Sequence, residues 1–463
     1  MAETRTILEL RSAVSPEPRV HYLRHAFELP AGATRVTVRL RFRKERLCQL
    51  FLSLFDPAGF RGCHMQPGAR GEVDLTLWVA PDDASRGGIP GALPAGLWHA
   101  QIDVERTAET TEYLLTVEAE LGPVPNQAIV AGYPEGYVSR AEPGWYLGEL
   151  HSHSHESDGK VSVAELVAAA KSYGLDFLAL TDHFTVSGYR HLAALQGPEL
   201  ALIRSMEQTG HAGHANLHGL RRWHDVFTDG RAEWNINSLA REVRAAGGLF
   251  CVNHPFSGDL GWRYHEFDWD LADLLEVWHT HEGPGNLLAF GLWDEQLRRG
   301  RRIVGVAATD SHDPHAPRHR LGGVLTAIYA PELSEQGLLQ GLRDGRVYGT
   351  RGPRLEFSAA PAGAPDRVAW MGALVPPGPV VLRAELRQLA YPWHLHVLKN
   401  GYPHAIVEGP AAPERIVELR DTAAPGDYYR LELHALEPYN DFPYHRWREW
   451  HTLLAFSNPI FAG

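Results

Sequence analysis

His151, His153 and Asp158 are the residues of this chain best suited to chemistry. Alternate side chains of an extended strand point the same way, so His151 and His153 are placed to grip one metal ion. Asp158 lies where a loop can curl back towards the same pocket. Thr181-Asp182-His183, Asn253-His254-Pro255 and Asp310-Ser311-His312 follow, each behind an apolar run that reads as a strand. Four strand ends loaded with His and Asp suggest a multinuclear centre. Imidazole and carboxylate ligands suit manganese, iron or zinc, so two or three such divalent ions are the expected cofactors. A lone histidine is usually a surface or satisfied-core residue. Here 16 of the 26 histidines fall between His151 and His319, and their pairing with carboxylates at strand ends is what points to metal. His191, His224, His265 and His319 have no partner that the sequence names, and His155 is expected only to frame the pocket.

These residues need elements to hold them. From 145 to 353 apolar strands alternate with amphipathic helices, which implies a parallel sheet or barrel, and chemistry in such barrels sits at the C-terminal strand ends. Ser162-Val-Ala-Glu165 is a capping-box pattern, with Val163, Leu166, Val167 and Ala170 as one helical face and Gly174 as the stop. Phe177–Leu180 and Leu249–Val252 read as strands. Residues 1–121 show short alternating strands between turn signals, as in a sandwich. Residues 122–144 read as a Gly/Pro-rich linker. Residues 354–463 return to β, with Asn400-Gly401 as a hairpin turn. The β regions are open to three roles: shaping the pocket mouth, binding a partner, or building a homo-oligomer.

A net charge of −12 excludes a general nucleic-acid binder, which needs a basic excess. Three cysteines, Cys48, Cys63 and Cys251, suit a reducing compartment better than a disulfide framework. No apolar run reaches the roughly 18 residues of a membrane span, and the opening residues do not read as a signal peptide. The expectation is a cytoplasmic protein without membrane contact.

The four metal-bearing motifs, in this order, resemble the polymerase-and-histidinol-phosphatase (PHP) domain, and within it the carbaryl-esterase-like branch of metal-dependent hydrolases. The resemblance covers about residues 145–353. Gly345-Arg-Val-Tyr-Gly-Thr350 and the run from Ala455 to Gly463 are also similar to that branch. It implies an α/β fold: a distorted, TIM-like (β/α)7 barrel, flanked here by N-terminal and C-terminal β-sandwich-like domains. Carried over, His151, His153 and Asp310 would bind the first metal, with Glu207 bridging to the second. His254 and a further histidine would bind the second, and Asp158, His183 and His312 the third. His211, His214 and His218 all stand open for that further histidine, with preference to His214 in its Gly-His-x-Asn pattern. His279 replaces the family's asparagine after Glu-Val-Tyr, as an added ligand or, by preference, a group beside the ligands. Glu207, His183, Asp310 and His279 are the expected catalytic set.

Water held between metals 3.5–4 Å apart is an established nucleophile, and the chain has no Gly-x-Ser-x-Gly elbow. Arg263, Arg318 and Arg320 follow the metal motifs, and arginine recognises phosphate and carboxylate bidentately. The expected substrate is therefore a small anionic molecule, foremost a phosphate ester. Two other readings stand beside it: a carboxyl- or carbamate-ester hydrolase on the same site, and a non-catalytic scaffold whose β domains do the binding.

Overall fold

The computed structural model describes residues 3–16, 21–44, 48–65, 70–123, 133–227, 235–280, 283–317, 319–436 and 452–463. Arg318 and residues 124–132 of the expected linker lie outside the described residues.

Strict alternation builds the N-terminal region. In Ala33–Lys44, Val36, Val38, Leu40 and Phe42 are buried while Arg39, Arg41 and Arg43 face out. Two four-stranded antiparallel sheets result. One runs Glu3–Val14, Thr111–Leu121, Ala33–Lys44, Gly71–Val79; the other runs Tyr22–Leu29, Gly96–Thr107, Cys48–Asp56, Gly59–His64. Their inner faces share one core around Leu40, Leu54, Leu77, Trp98 and Leu115. The far side of the second sheet joins a different core. Phe55 and Phe60 pack there on Trp223 and Phe227, with Phe60 stacked on Trp223 at 4.3 Å.

The central region is a mixed sheet with helices, not a purely parallel one. Gly144–Glu149, Phe177–Leu180 and Ala201–Gly210 pair in parallel. Gly213–His218 then turns back antiparallel between Ala201–Gly210 and Leu249–Val252. Leu274–His279 and Val304–Ala308 continue in parallel. The hairpin arises because only two residues separate the strands, too few for the helical crossover that parallel pairing needs. Helix Val163–Ser172 carries the complete Ser162–Glu165 capping box, and Gly174 follows it at φ +72°. Asn235 caps Ile236–Ala245 through its side chain. Among the described residues no helix is long and apolar enough to cross a membrane.

On the other edge, Leu325–Ala330 pairs antiparallel with Gly144–Glu149, and Val347–Thr350 pairs antiparallel with Leu325–Ala330. Side chains then bridge Val304–Ala308 to that edge. Ala307 N donates to Thr326 Oγ1 (3.0 Å), which donates back to Ala307 O (2.7 Å). Asn458 accepts from Gly305 N and donates to Gly305 O (both 2.8 Å), and it also donates to Val347 O (3.0 Å).

The C-terminal region is β, but it is not a separate sheet throughout. Leu453–Ser457 pairs with Val347–Thr350, so Tyr428–Ala435, Trp393–Lys399 and Tyr402–Gly409 extend the central sheet. A four-stranded antiparallel sheet, Ala369–Trp370, Arg354–Pro361, Gly378–Leu389, Ala412–Ala423, closes over this extension. The two share a core that includes Phe357, Leu386, Trp393 and Leu433. The Asn400-Gly401 turn forms with both residues at positive φ, +56° and +79°. That conformation suits the twist of a two-residue hairpin.

Candidate metal centre

The motif residues converge at one end of the central sheet. His151 and His153 lie just past strand Gly144–Glu149, and Ser152 between them bridges to Ser311. That bridge brings the Asp310–His312 loop alongside. Buried Glu149 fixes the floor by accepting from His151 N and Thr309 N, each at 3.1 Å. Burial pushes its carboxyl up to about 7.

Glu207 sits in the wholly buried strand Ala201–Gly210, at the middle of the cluster. Its Oε1 is 3.4 Å from His151 Nε2, 3.4 Å from His214 Nδ1 and 3.6 Å from His254 Nε2; its Oε2 is 2.8 Å from His183 Nδ1 and 3.6 Å from His153 Nε2. Asp310 Oδ1 is 2.9 Å from His153 Nε2, 3.2 Å from His151 Nε2 and 3.6 Å from His312 Nδ1. Asp158 Oδ1 is 3.2 Å from His312 Nε2 and 3.5 Å from His183 Nε2.

Three groups have ligand atoms within 4.8 Å of one another: His151-His153-Glu207, Glu207-His214-His254 and His153-Asp158-His183-His312. Glu207 and His153 join them into one chain. Of the three open histidines, only His214 is in these three groups; His211 belongs to a separate one with Asp103 and Glu105. His218 instead lies 2.8 Å from Ser205 Oγ, and His211 faces Asp103 and Glu105, each at 3.3 Å. His279 is buried beside the cluster, with Nε2 3.5 Å from Asp310 Oδ2.

The cluster fits cations. His151 Nε2 is fully buried and lies between two carboxylates, yet it has no hydrogen-bond partner among the described residues. Such an orphaned atom calls for an explanation, and an ion held between the three groups would supply it. Charge agrees. Burial alone would raise Glu207, but His151, His183 and His214 hold it well below the usual carboxylate range. Burial would lower His312, but Asp158 and Asp310 raise it to about 10. A proton on His312 occupies the place of a cation, so metal loading there releases it. His254 and Asp310 both have positive φ, +22° and +52°. Non-glycine residues so placed cluster at functional sites.

The sequence reading missed the supporting roles of three residues. Glu276 Oε1 lies 2.7 Å from His151 Nδ1, and its Oε2 accepts from His254 N at 2.9 Å. It thereby turns His151 Nε2 towards Glu207. Asn253 Nδ2 donates to Glu207 Oε1 at 2.8 Å. Asp182 accepts from Ser154 N, Ser154 Oγ and Ser157 Oγ, so its carboxylate shapes the His153–Asp158 loop. A signal for Glu276 was present: it is a carboxylate inside the apolar run Leu274–His279, and a buried charge needs a partner. Glu276→Gln should weaken metal affinity about 10–100-fold, the usual effect of losing a partner that orients a ligand. Metal titration of the stripped variant checks this, and unchanged affinity would refute the orienting role.

Of the three expected arginines, Arg263 and Arg320 are described, and both are exposed. Arg263 is exposed and donates to Asp259 O and His211 O. Arg320 is exposed, 6.0 Å from the Tyr173 ring centroid. His191 and His224, unpartnered in the sequence reading, face Glu156 (3.0 Å) and Glu242 (2.8 Å). Glu156 also accepts from Gly87 N of the N-terminal region at 2.8 Å. A pocket opens there, lined by His64, Met65, Arg86 and residues 155–160, with Asp158 in its wall.

No curated protein matches the chain. Among solved structures, a two-domain protein from Bacteroides vulgatus ATCC 8482, described as containing a predicted PHP-like metal-dependent phosphoesterase, is 16% identical at a TM-score of 0.39. The likeness covers 71% of this chain and 100% of that one. PsfC from Pseudomonas syringae PB-5123 is 14% identical at a TM-score of 0.32, over 43% of this chain and 87% of its own. Residues 149–221, which hold His151, His153, Asp158, His183, Glu207 and His214, match the PHP domain.

Proposed function

We propose that this chain is a metal-dependent hydrolase, foremost a phosphoesterase, working at a di- or trinuclear centre in a distorted barrel. The observation that carries this reading is the linked set of three buried ligand groups sharing Glu207 and His153. The PHP match over part of that set supports it. His151, His153 and Asp310 would hold one ion, and His214 and His254 a second, with Glu207 between them. Asp158, His183 and His312 would hold a third. Bound there, the ions supply an acidified water and neutralise charge on the attacking and leaving oxygens. The chain's own residues do the rest. Glu276 and Asn253 fix the orientation of His151 and Glu207. His279, whose Nε2 has no hydrogen-bond partner among the described residues, is the candidate to carry a proton to the leaving group.

The proposed substrate is a small anion. Arg263, Arg318 and Arg320 remain its sequence-derived contacts, and the pocket beside Asp158 adds Arg86 and Lys160. Lys160 is largely exposed, 3.2 Å from Asp313. The test compares a phosphomonoester, a phosphodiester and a neutral aryl ester on one manganese-loaded preparation of counted metal content. Two or three equivalents of metal and a preference for a phosphoester are expected. Arginine-to-methionine variants should lower kcat/KM for that phosphoester with metal content unchanged. Less than one equivalent would sink the multinuclear centre. Faster turnover of the aryl ester, unaffected by the arginine variants, would replace the phosphoesterase with an ester hydrolase.

A further inference from the structure

A second histidine cluster lies in the C-terminal region, outside the PHP match. His394 and His396 alternate on strand Trp393–Lys399, and Glu432 and His434 alternate on Tyr428–Ala435. The strands pair antiparallel, with His394 opposite His434 and His396 opposite Glu432. Period-2 geometry therefore puts all four side chains on one face. His396, Glu432 and His434 each offer a ligand atom within 4.8 Å of the other two. His394 Nδ1 is 2.7 Å from His396 Nε2. All four residues are half-buried, within reach of an ion from solvent.

Neighbouring groups orient these atoms. His434 Nδ1 lies 3.1 Å from Thr452 Oγ1. With Nδ1–H donating there, Nε2 keeps its lone pair, 3.3 Å from Glu432 Oε2. Arg430 Nη1 donates to Glu432 Oε1 at 2.6 Å, leaving Oε2 to face the histidine. The Arg430 charge is already matched by Asp294, which accepts from its Nε and Nη2. One carboxylate charge is left over on a face of imidazoles. Ligands locked by outer partners, with net negative charge, are what a divalent transition-metal site requires.

We propose that His396, Glu432 and His434 form a transition-metal site separate from the central cluster, with His394 as candidate fourth ligand. Zinc suits this N/O set in a tetrahedral arrangement. The ion would clamp two neighbouring strands beside the Arg430–Asp294 contact, where the C-terminal region meets helix Gly283–Arg298.

The test uses the full chain, stripped of metal and dialysed against zinc. The double variant His396→Gln/His434→Gln leaves every residue of the central cluster in place. It should bind one equivalent less than the wild type, with the same circular dichroism. Equal zinc content would overturn the site. Wild-type protein gives a readout independent of any variant, because zinc should protect His396 and His434 from diethyl pyrocarbonate, read by peptide mass spectrometry. Unchanged labelling of both residues would overturn it too.

Discussion

Glu207→Ala should abolish hydrolysis and remove at least one equivalent of metal while leaving the fold intact. Among the described residues, Glu207 is the only side chain that belongs to both the His151-His153 group and the His214-His254 group. Without it two sets of imidazoles face each other with no bridging charge. Partners that merely orient a ligand already cost about 10–100-fold, so the loss here should exceed about 100-fold in kcat/KM. Elemental analysis and turnover on the same sample check it, with circular dichroism as control. Full metal content in the variant would move the bridge elsewhere.

Arg430→Met should give the largest loss of stability. The guanidinium is almost fully buried, and it binds Asp294 from the central helix at 2.8 and 2.6 Å and Glu432 at 2.6 Å. Removing one partner of a buried pair leaves an uncompensated charge, at a cost of about 3–5 kcal/mol. Urea unfolding of metal-free protein measures it. Adding Asp294→Asn should recover part of the loss, because coupled neighbours are not additive. A change under about 0.5 kcal/mol, the usual size for an uninvolved surface position, would show that the contact contributes nothing.

The cluster of candidate ligands was legible because metals need particular side chains at particular places. Histidines two apart, and His or Asp directly behind apolar strands, mark strand ends even when pairing is unknown. The orienting partners were not legible in that way. Whether Glu276 faces His151 depends on the relative register of strands from residues 151 and 276, which no local pattern encodes. The sheet's extension into the C-terminal region was hidden for the same reason. No pattern in the sequence points Asn458 at the central sheet, and only the folded chain shows it reaching Gly305 and Val347. His214 was preferred on a short pattern; what separates it from His211 and His218 in space is the hairpin, which points His211 towards the N-terminal sandwich.

The Asn458 bridge also sets an order of events during synthesis. It joins residues 153 positions apart in the chain. At about 5–20 residues per second, Gly305 leaves the ribosome roughly 8–30 s before Asn458 does. Through that interval Gly305, on the strand leading into Asp310, lacks its Asn458 partner, although Thr326 already covers Ala307 on the same edge. An uncovered strand edge is of the kind that recruits other chains. Slow translation between residues 310 and 458 lengthens that exposure to aggregation.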